Sequence, residues 1–162
     1  MRLFVAAEPP AGVRDALAGW AQAAVGEDPD LRLVAAPALH LTLAKLYEHK
    51  LRDPERALEH ARPHVLTVGV ADPGGLLTAL QEAVVAACTR AIAWEPERRA
   101  FRPHVTVARV RRNARVRPRE LPALPEAARG RWRTGGVTLL RSHTGGGGAQ
   151  YEALWGSGAL MP

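Results

Sequence analysis

Hydrophobic positions along the chain switch between two periods, one typical of strands and one typical of helices. The apolar run over 2–7 predicts a buried strand, which the prolines at 9 and 10 end. Apolar side chains then recur at helical spacing and predict a helix over 12–25. Further strands are predicted at 31–35, 39–46, 64–70, 103–110, 137–142 and 150–155, and further helices from 53 and over 72–90. This order is typical of an α+β fold with helices packed outside sheets.

Two of the predicted strands carry the same polar pair on one face. His40 and Thr42 stand two residues apart in ALHLTLAKL, and His104 and Thr106 do so in RPHVTVAR. Because side chains alternate along a strand, each His–Thr pair shares one face and its apolar neighbours take the other. Each half of the chain also has a strand and a helix before its motif, which indicates a faint internal duplication. Two related halves that face each other would place the motifs on opposite walls of one cleft.

Two imidazoles in one cleft suit acid–base chemistry at neutral pH, because one neutral ring can take a proton while a protonated ring gives one. Threonine hydroxyls beside them can donate hydrogen bonds to phosphoryl oxygens. Zinc binding is a rival use of two histidines, but neither motif has a neighbouring carboxylate or thiolate to complete such a site. A structural role is a stronger alternative for one motif than for two matching ones. We therefore expect catalysis without a metal ion or cofactor.

Composition limits the class of protein. The 162 residues include 22 basic and 16 acidic side chains, with a formal net charge of +6 and a pI of about 10.6. Nearly all the basic residues are arginines, which suit phosphate recognition, although a GC-rich genome would also favour arginine. The single Cys88 excludes an internal disulfide framework. The apolar N-terminal stretch is too short for a secretory signal, and no segment has the length of a membrane span, so we expect a soluble cytoplasmic protein.

The two motifs resemble those of the 2H phosphoesterase superfamily, which is named for its paired H-x-[ST]-x sequences. Within it, the chain is similar to the bacterial and archaeal RNA 2′,3′-cyclic phosphodiesterases, once described as 2′-5′ RNA ligases. RLFVAAEPP resembles the opening strand of that branch, FRPHVTVARV its second motif and VTLLRSHTGGGGAQYEAL its closing hairpin. The resemblance implies one bilobal α+β domain over 1–162, with two pseudo-symmetric lobes of antiparallel sheet and outer helices around a central cleft.

The same resemblance implies a reaction and a role for each motif residue. The expected reaction is hydrolysis of a 2′,3′-cyclic phosphate, on an RNA end or a nucleotide, to a 2′-phosphate. In that scheme His40 gives a proton to the leaving 3′ oxygen and His104 activates water. Thr42 and Thr106 hold the non-bridging oxygens, and Arg109 supports the phosphate. The expected partners are RNA ends or cyclic nucleotides, with no membrane, and the expected state is a monomer.

Three features depart from the pattern of that family. Lys45-Leu46-Tyr47-Glu48 follows the first motif, where an aromatic residue and then Leu-Gly are usual. The segment 49–65 is short, with one predicted helix where a strand pair is expected, which would alter one rim of the cleft. Arg109 is an odd number of residues from His104, so an ideal strand would aim it away from the cleft unless a bulge turned it back.

Some alternatives stay open on the sequence alone. A non-catalytic module that binds RNA or nucleotide ends would use the same cleft, and ADP-ribose 1″,2″-cyclic phosphate is a second candidate substrate. Arg102 is either an electrostatic guide for RNA or a solvated surface residue. His143 and Tyr151, in the closing hairpin, either stack on or bond a nucleotide at the cleft mouth or are structural. The glycine run 145–148 is expected to be a turn, because it lacks the strand-to-helix context of a phosphate-binding loop.

Overall fold

The computed structural model describes residues 2–46, 64–111, 114, 120–145 and 148–157, and within these ranges the fold has seven strands and three α-helices. The strands are β1 (Arg2–Ala7), β2 (Leu31–Leu33), β3 (Leu41–Lys45), β4 (Val65–Gly69), β5 (His104–Val110), β6 (Val137–Gly145) and β7 (Gly148–Gly156). The helices are α1 (Ala11–Val25), α2 (Leu76–Ala91) and the short α3 (Glu126–Arg129), and a 3-10 turn over Ala36–Ala38 precedes β3.

The strands form one antiparallel sheet in the order β2-β5-β3-β1-β6-β7, with β4 on the other side of β5. Ala108 of β5 pairs with Leu33 of β2 and also with Leu66 of β4, so these two strands flank β5. One half of the sheet contains β1, β3, β6 and β7, and the other contains β2, β4 and β5. The two halves join at one residue pair, Leu41 of β3 and Val105 of β5. The expected α+β class and antiparallel sheet are confirmed.

The two halves of the sheet contain the same irregularity at the same place. In one half β3 pairs with β1, and the register shifts so that Leu43 has no partner on β1. In the other half β5 pairs with β4, and Val107 has no partner on β4. Both bulged residues directly follow a motif threonine. A bulge bends its strand and changes the face on which the following side chains lie, so the duplication predicted from the sequence extends to the direction of side chains beyond each motif.

Each long helix packs against one half of the sheet, although the strand before it in the chain belongs to the other half. Helix α1 follows β1 but packs on Val105 and Val107 of β5, through apolar residues that include Val13 and Leu17. Helix α2 follows β4 but packs on β1 and β3, where Leu41 and its neighbours form a second core cluster. The helices therefore cover the face of the sheet opposite to the motif histidines.

Most element boundaries agree with the sequence predictions. β2 is shorter than expected, and the closing hairpin is longer, because its ladder continues to the pair Gly145–Gly148. Helix α2 begins four residues after the predicted start, yet Asp72 caps it: its carboxylate accepts the backbone N–H groups of Leu77 at 3.0 Å and Thr78 at 2.9 Å.

Two further predictions concern the connecting segments. The helix predicted from 53, with the short segment 49–63 around it, lies outside the described residues. Helix α3, in the connector before β6, was not predicted, because four residues are too few for a periodic pattern to show. No helix in the part of the chain that the structure describes is long and apolar enough to cross a membrane.

Candidate active site

The pair that joins the two halves of the sheet also brings the motifs together. Leu41 and Val105 are paired and are 0% and 1% exposed, so both side chains point into the helix-covered core. Their chain neighbours point to the other face, as strand alternation requires. The residues on that face are the two histidines and two threonines of the motifs, all half-buried: His40, Thr42, His104 and Thr106.

Antiparallel pairing crosses the two motifs over. Counting outward from the joining pair, His40 lies opposite Thr106 and His104 lies opposite Thr42. Each imidazole therefore has the hydroxyl of the other motif beside it. An approximate two-fold axis through the joining pair relates one motif to the other. A phosphate above that axis would face one histidine from each side.

The two imidazoles are oriented by equivalent hydrogen bonds. Nδ1 of His40 lies 2.8 Å from the carbonyl oxygen of Ala38, and Nδ1 of His104 lies 2.7 Å from that of Arg102. Because a carbonyl can only accept, Nδ1 carries the proton in both rings. Nε2 of each ring is therefore the atom that gains or loses a proton. Arg102 contributes to the site through its backbone carbonyl, while its side chain is exposed.

The electrostatic surroundings of His40 favour its neutral form. Burial lowers the pKa of His40 below its ordinary value of 6.5. The positive charge of Arg109 lowers that pKa further, as does that of His104 when it is protonated. The hydrogen bond to Ala38 and the carboxylate of Glu8 act in the opposite direction, without reversing the shift.

Two aromatic rings pack against His40: Tyr151, whose role the sequence leaves open, and Phe4, which no sequence pattern singles out. The Phe4 ring centroid lies 4.9 Å from that of His40, and the Tyr151 centroid lies 5.1 Å from it with the rings perpendicular. Phe4 and Tyr151 also meet edge to face at 5.1 Å. Phe4 gave no signal because a buried phenylalanine in an apolar strand is usual, and the position of Tyr151 depends on how the hairpin folds back. These rings pack around His40 on the motif face.

Arg109 reaches the cleft face in spite of its odd spacing from His104. Val107 and Ala108 are consecutive and both 0% exposed, which is the signature of the bulge in β5. The next residue, Arg109, therefore lies on the cleft face, and its Nη2 donates to the Tyr151 hydroxyl at 3.4 Å. The expectation for an ideal strand fails here because of the bulge, and the arginine approaches His40 through Tyr151.

Other candidate residues lie away from this site. His143 is on the opposite face of the hairpin from Tyr151, where its Nε2 is 2.8 Å from the Glu152 carboxylate. The hydrogen bond from His143 is the main reason that the pKa of Glu152 is lowered. Cys88 packs in the α2 core, and burial raises the pKa of its thiol. In the described ranges, no group of three or more His, Cys, Asp or Glu side chains is arranged to bind a metal ion.

Comparison with known proteins identifies the family of this fold. The profile of the 2′-5′ RNA ligase superfamily matches residues 3–146. Among solved structures, TT0787 of Thermus thermophilus is 24% identical, with 98% of each chain covered and a TM-score of 0.71. E. coli LigT, crystallised with 3′-AMP, is 24% identical, with 99% of this chain and 98% of that chain covered and a TM-score of 0.65. A further structure, described as a phosphoesterase, is 26% identical over 96% of this chain and 97% of its own, with a TM-score of 0.61.

Among curated proteins, no sequence matches the chain significantly. The family profile, however, spans both H-x-T motifs and most of the sheet. Because it covers well over half of the chain, the protein belongs to the 2′-5′ RNA ligase superfamily, a group of 2H phosphoesterases whose members are phosphodiesterase-type enzymes.

Proposed function

We propose that this protein hydrolyses 2′,3′-cyclic phosphates, at RNA ends or on nucleotides, to 2′-phosphates without a metal ion. The observation that carries the proposal is the crossed pair of motifs: two imidazoles on one face, each with Nδ1 bonded to a carbonyl and Nε2 left to exchange a proton. Two such groups on opposite sides of one phosphate are what an in-line displacement requires of an acid and a base.

In the proposed reaction, Nε2 of neutral His104 takes a proton from water as the water oxygen bonds to phosphorus. The bond from phosphorus to the 3′ oxygen breaks, and protonated His40 gives its Nε2 proton to that oxygen. The product carries a 2′-phosphate and a free 3′ hydroxyl. His40 then regains a proton from solvent and His104 loses one, so atoms and charge balance over a turnover.

The lowered pKa of His40 is compatible with its role as the acid. A bound phosphate is an anion, and a neighbouring negative charge favours the protonated imidazole, so substrate offsets part of the effect of burial. An imidazolium with a lowered pKa is also a stronger proton donor to a poor leaving group.

Charge that develops on the non-bridging oxygens needs fixed donors. The hydroxyls of Thr42 and Thr106 lie on the motif face on either side of the joining pair, and the Arg109 guanidinium is on the same face. Donors already in position stabilise a transition state without reorganisation. The likeness to E. coli LigT, whose structures contain 3′-AMP and phosphate, supports a nucleotide phosphate as the ligand.

The proposal is tested with 2′,3′-cyclic nucleotides and a short RNA that ends in a cyclic phosphate, all with EDTA present. We expect hydrolysis by the wild-type protein and a loss of at least about a hundredfold in kcat in His40→Ala and in His104→Ala. His143→Ala is the matched control, because it removes a histidine on the outer face of the hairpin. Phosphorus NMR identifies the product.

Three outcomes would contradict the proposal. Full activity in both motif variants would remove the histidines from the mechanism, and a 3′-phosphate product would reassign the leaving oxygen. Tight binding of RNA ends with no turnover would indicate a recognition module instead. ADP-ribose 1″,2″-cyclic phosphate belongs in the same assay, since faster turnover of that compound would change the substrate and leave the acid–base scheme intact.

A further inference from the structure

Two arginines face each other across strands β2 and β5. Arg32 pairs directly with Arg109 in the antiparallel ladder, so the two side chains leave the same face of the sheet. On either side of Arg32, Leu31 is 6% exposed and Leu33 packs on the α1 core. Arg32 therefore points to the opposite face, which is the face that carries Arg109 and the motif histidines.

A pair of like charges directly opposite each other destabilises a sheet. No described residue forms a hydrogen bond or ion pair with the Arg32 side chain, and the partner of Arg109 is the neutral hydroxyl of Tyr151. Both arginines are only half-exposed, so solvent screens them less than it would at a free surface. An anion bound from solution would therefore neutralise the repulsion between the two guanidinium groups.

The position of the pair relates it to the reaction. Arg109 reaches Tyr151, and Tyr151 packs on His40, so the arginines lie on the His40 side of the cleft. Cross-strand neighbours are about 5 Å apart, and β2 pairs along the same edge of β5 as β3, so Arg32 lies beside Arg109 on the edge that the His40 motif strand also occupies. In the proposed reaction His40 protonates the 3′ oxygen of the ribose. The ribose and the RNA chain attached to it therefore lie on the His40 side of the site.

We infer that Arg32 forms a second phosphate subsite beside Arg109: with Arg109 on the reacting phosphate, Arg32 binds the internucleotide phosphate next to the cyclic end. The natural substrate class is then an oligonucleotide with a cyclic end, and a cyclic mononucleotide lacks the group that this subsite binds. The inference rests on the proposed function for the direction of the chain. Guanidinium groups suit this ligand, because each offers a planar pair of donors to two phosphate oxygens.

The test compares adenosine 2′,3′-cyclic phosphate with the dinucleotide ApA that ends in the same cyclic phosphate. We expect Arg32→Gln to raise the KM of the dinucleotide about tenfold, and that of the mononucleotide less than about twofold, with kcat unchanged. Arg32→Lys should restore part of the loss because it keeps the charge. Arg90→Gln is the matched control, since Arg90 is exposed at the end of α2.

Two readouts separate this binding role from a structural one. In a plot of log KM for the dinucleotide against the logarithm of the salt concentration, the slope should be about 0.7 smaller for Arg32→Gln than for wild type. This is the change expected when one contact to a single-stranded phosphate is lost. Thermal melting without ligand should show Arg32→Gln to be at least as stable as wild type, because a like-charge pair is relieved. A variant that melts much earlier, or that changes both KM values equally, would overturn the subsite.

Binding measurements keep this inference separate from the proposed function. Calorimetry with 3′-AMP and with ApA carrying a 3′-phosphate needs no turnover. If the wild type hydrolyses neither substrate but prefers the dinucleotide, and Arg32→Gln abolishes that preference, the subsite stands and the hydrolytic proposal fails. Equal binding of the two ligands by wild type and variant would reject the subsite.

Discussion

Lys45 and Arg109 occupy equivalent positions in the two halves of the fold but have different partners. Each is two residues beyond a bulge and pairs with the strand that faces that bulge, Lys45 with Phe4 of β1 and Arg109 with Val65 of β4. Nζ of Lys45 lies 3.7 Å from the Glu97 carboxylate, whereas Arg109 donates to the Tyr151 hydroxyl. The positive charge of Lys45 is partly neutralised, and that of Arg109 acts on His40.

This asymmetry predicts unequal effects of removing the two cations. Arg109→Gln should lower kcat/KM for a cyclic phosphate about a hundredfold, the usual cost of losing one preorganised donor to a transition state. Lys45→Gln, the symmetry-matched control, should lower it less than about threefold, because the half-exposed pair with Glu97 is weak. Steady-state kinetics of both variants give the comparison, and similar losses in the two would contradict it.

The electrostatics of His40 predict where activity declines as pH rises. If His40 is the acid, the free enzyme loses activity as that residue deprotonates, and burial with the charge of Arg109 holds its pKa below 6.5. The descending limb of kcat/KM should therefore lie below pH 6.5 and move upward in Arg109→Gln. A pH series for both proteins measures this shift. A descending limb above pH 7 in the wild type would exclude His40 as the acid in the free enzyme.

The same lowered pKa affects stability independently of catalysis. His40 titrates near 6.5 when unfolded and at a lower pH when folded. Between the two pKa values the unfolded chain binds the proton more readily, so the free energy of unfolding falls as pH falls through this window. His40→Gln lacks the titrating group and should lose less stability between pH 7 and pH 5. Urea unfolding at several pH values tests this, and parallel declines in the two proteins would count against it.

Tyr151 contributes a ring and a hydroxyl that can be separated by mutation. Tyr151→Phe keeps the ring contacts with Phe4 and His40 and removes only the long bond from Arg109, so kcat/KM should fall less than about tenfold. Tyr151→Ala also frees the His40 ring, so the loss should be several times larger, with lower stability from the lost aromatic contacts. Kinetics and thermal melts of the two variants decide whether the ring or the hydroxyl matters more.

The sequence predicts the motif face well because a single rule governs it. Alternation within each H-x-T-x stretch places Leu41 and Val105 in the core and the histidines on the other face, and the exposures of the two apolar residues confirm this. The catalytic roles of His40 and His104 remain predictions, since burial and orientation do not measure proton transfer.

The rest of the site depends on long-range pairing, which a local pattern does not contain. Arg109 faces the cleft because the register between β4 and β5 shifts beside Val107, and no residue type in β5 predicts that bulge. Arg32 reaches the same face through its pairing with Arg109. Tyr151 meets His40 only because the hairpin of β6 and β7 extends the sheet beside β1.

The exchange of helices between the two halves has a consequence for how the molecule unfolds. Helix α1 completes the core beneath β5, and helix α2 completes the core beneath β3, so either half alone lacks the helix that covers it. The duplicated halves are therefore interlocked, and we expect them to lose amide protection in one cooperative step. The two motif strands therefore unfold together, and the separation of the two histidines persists for as long as the whole fold does.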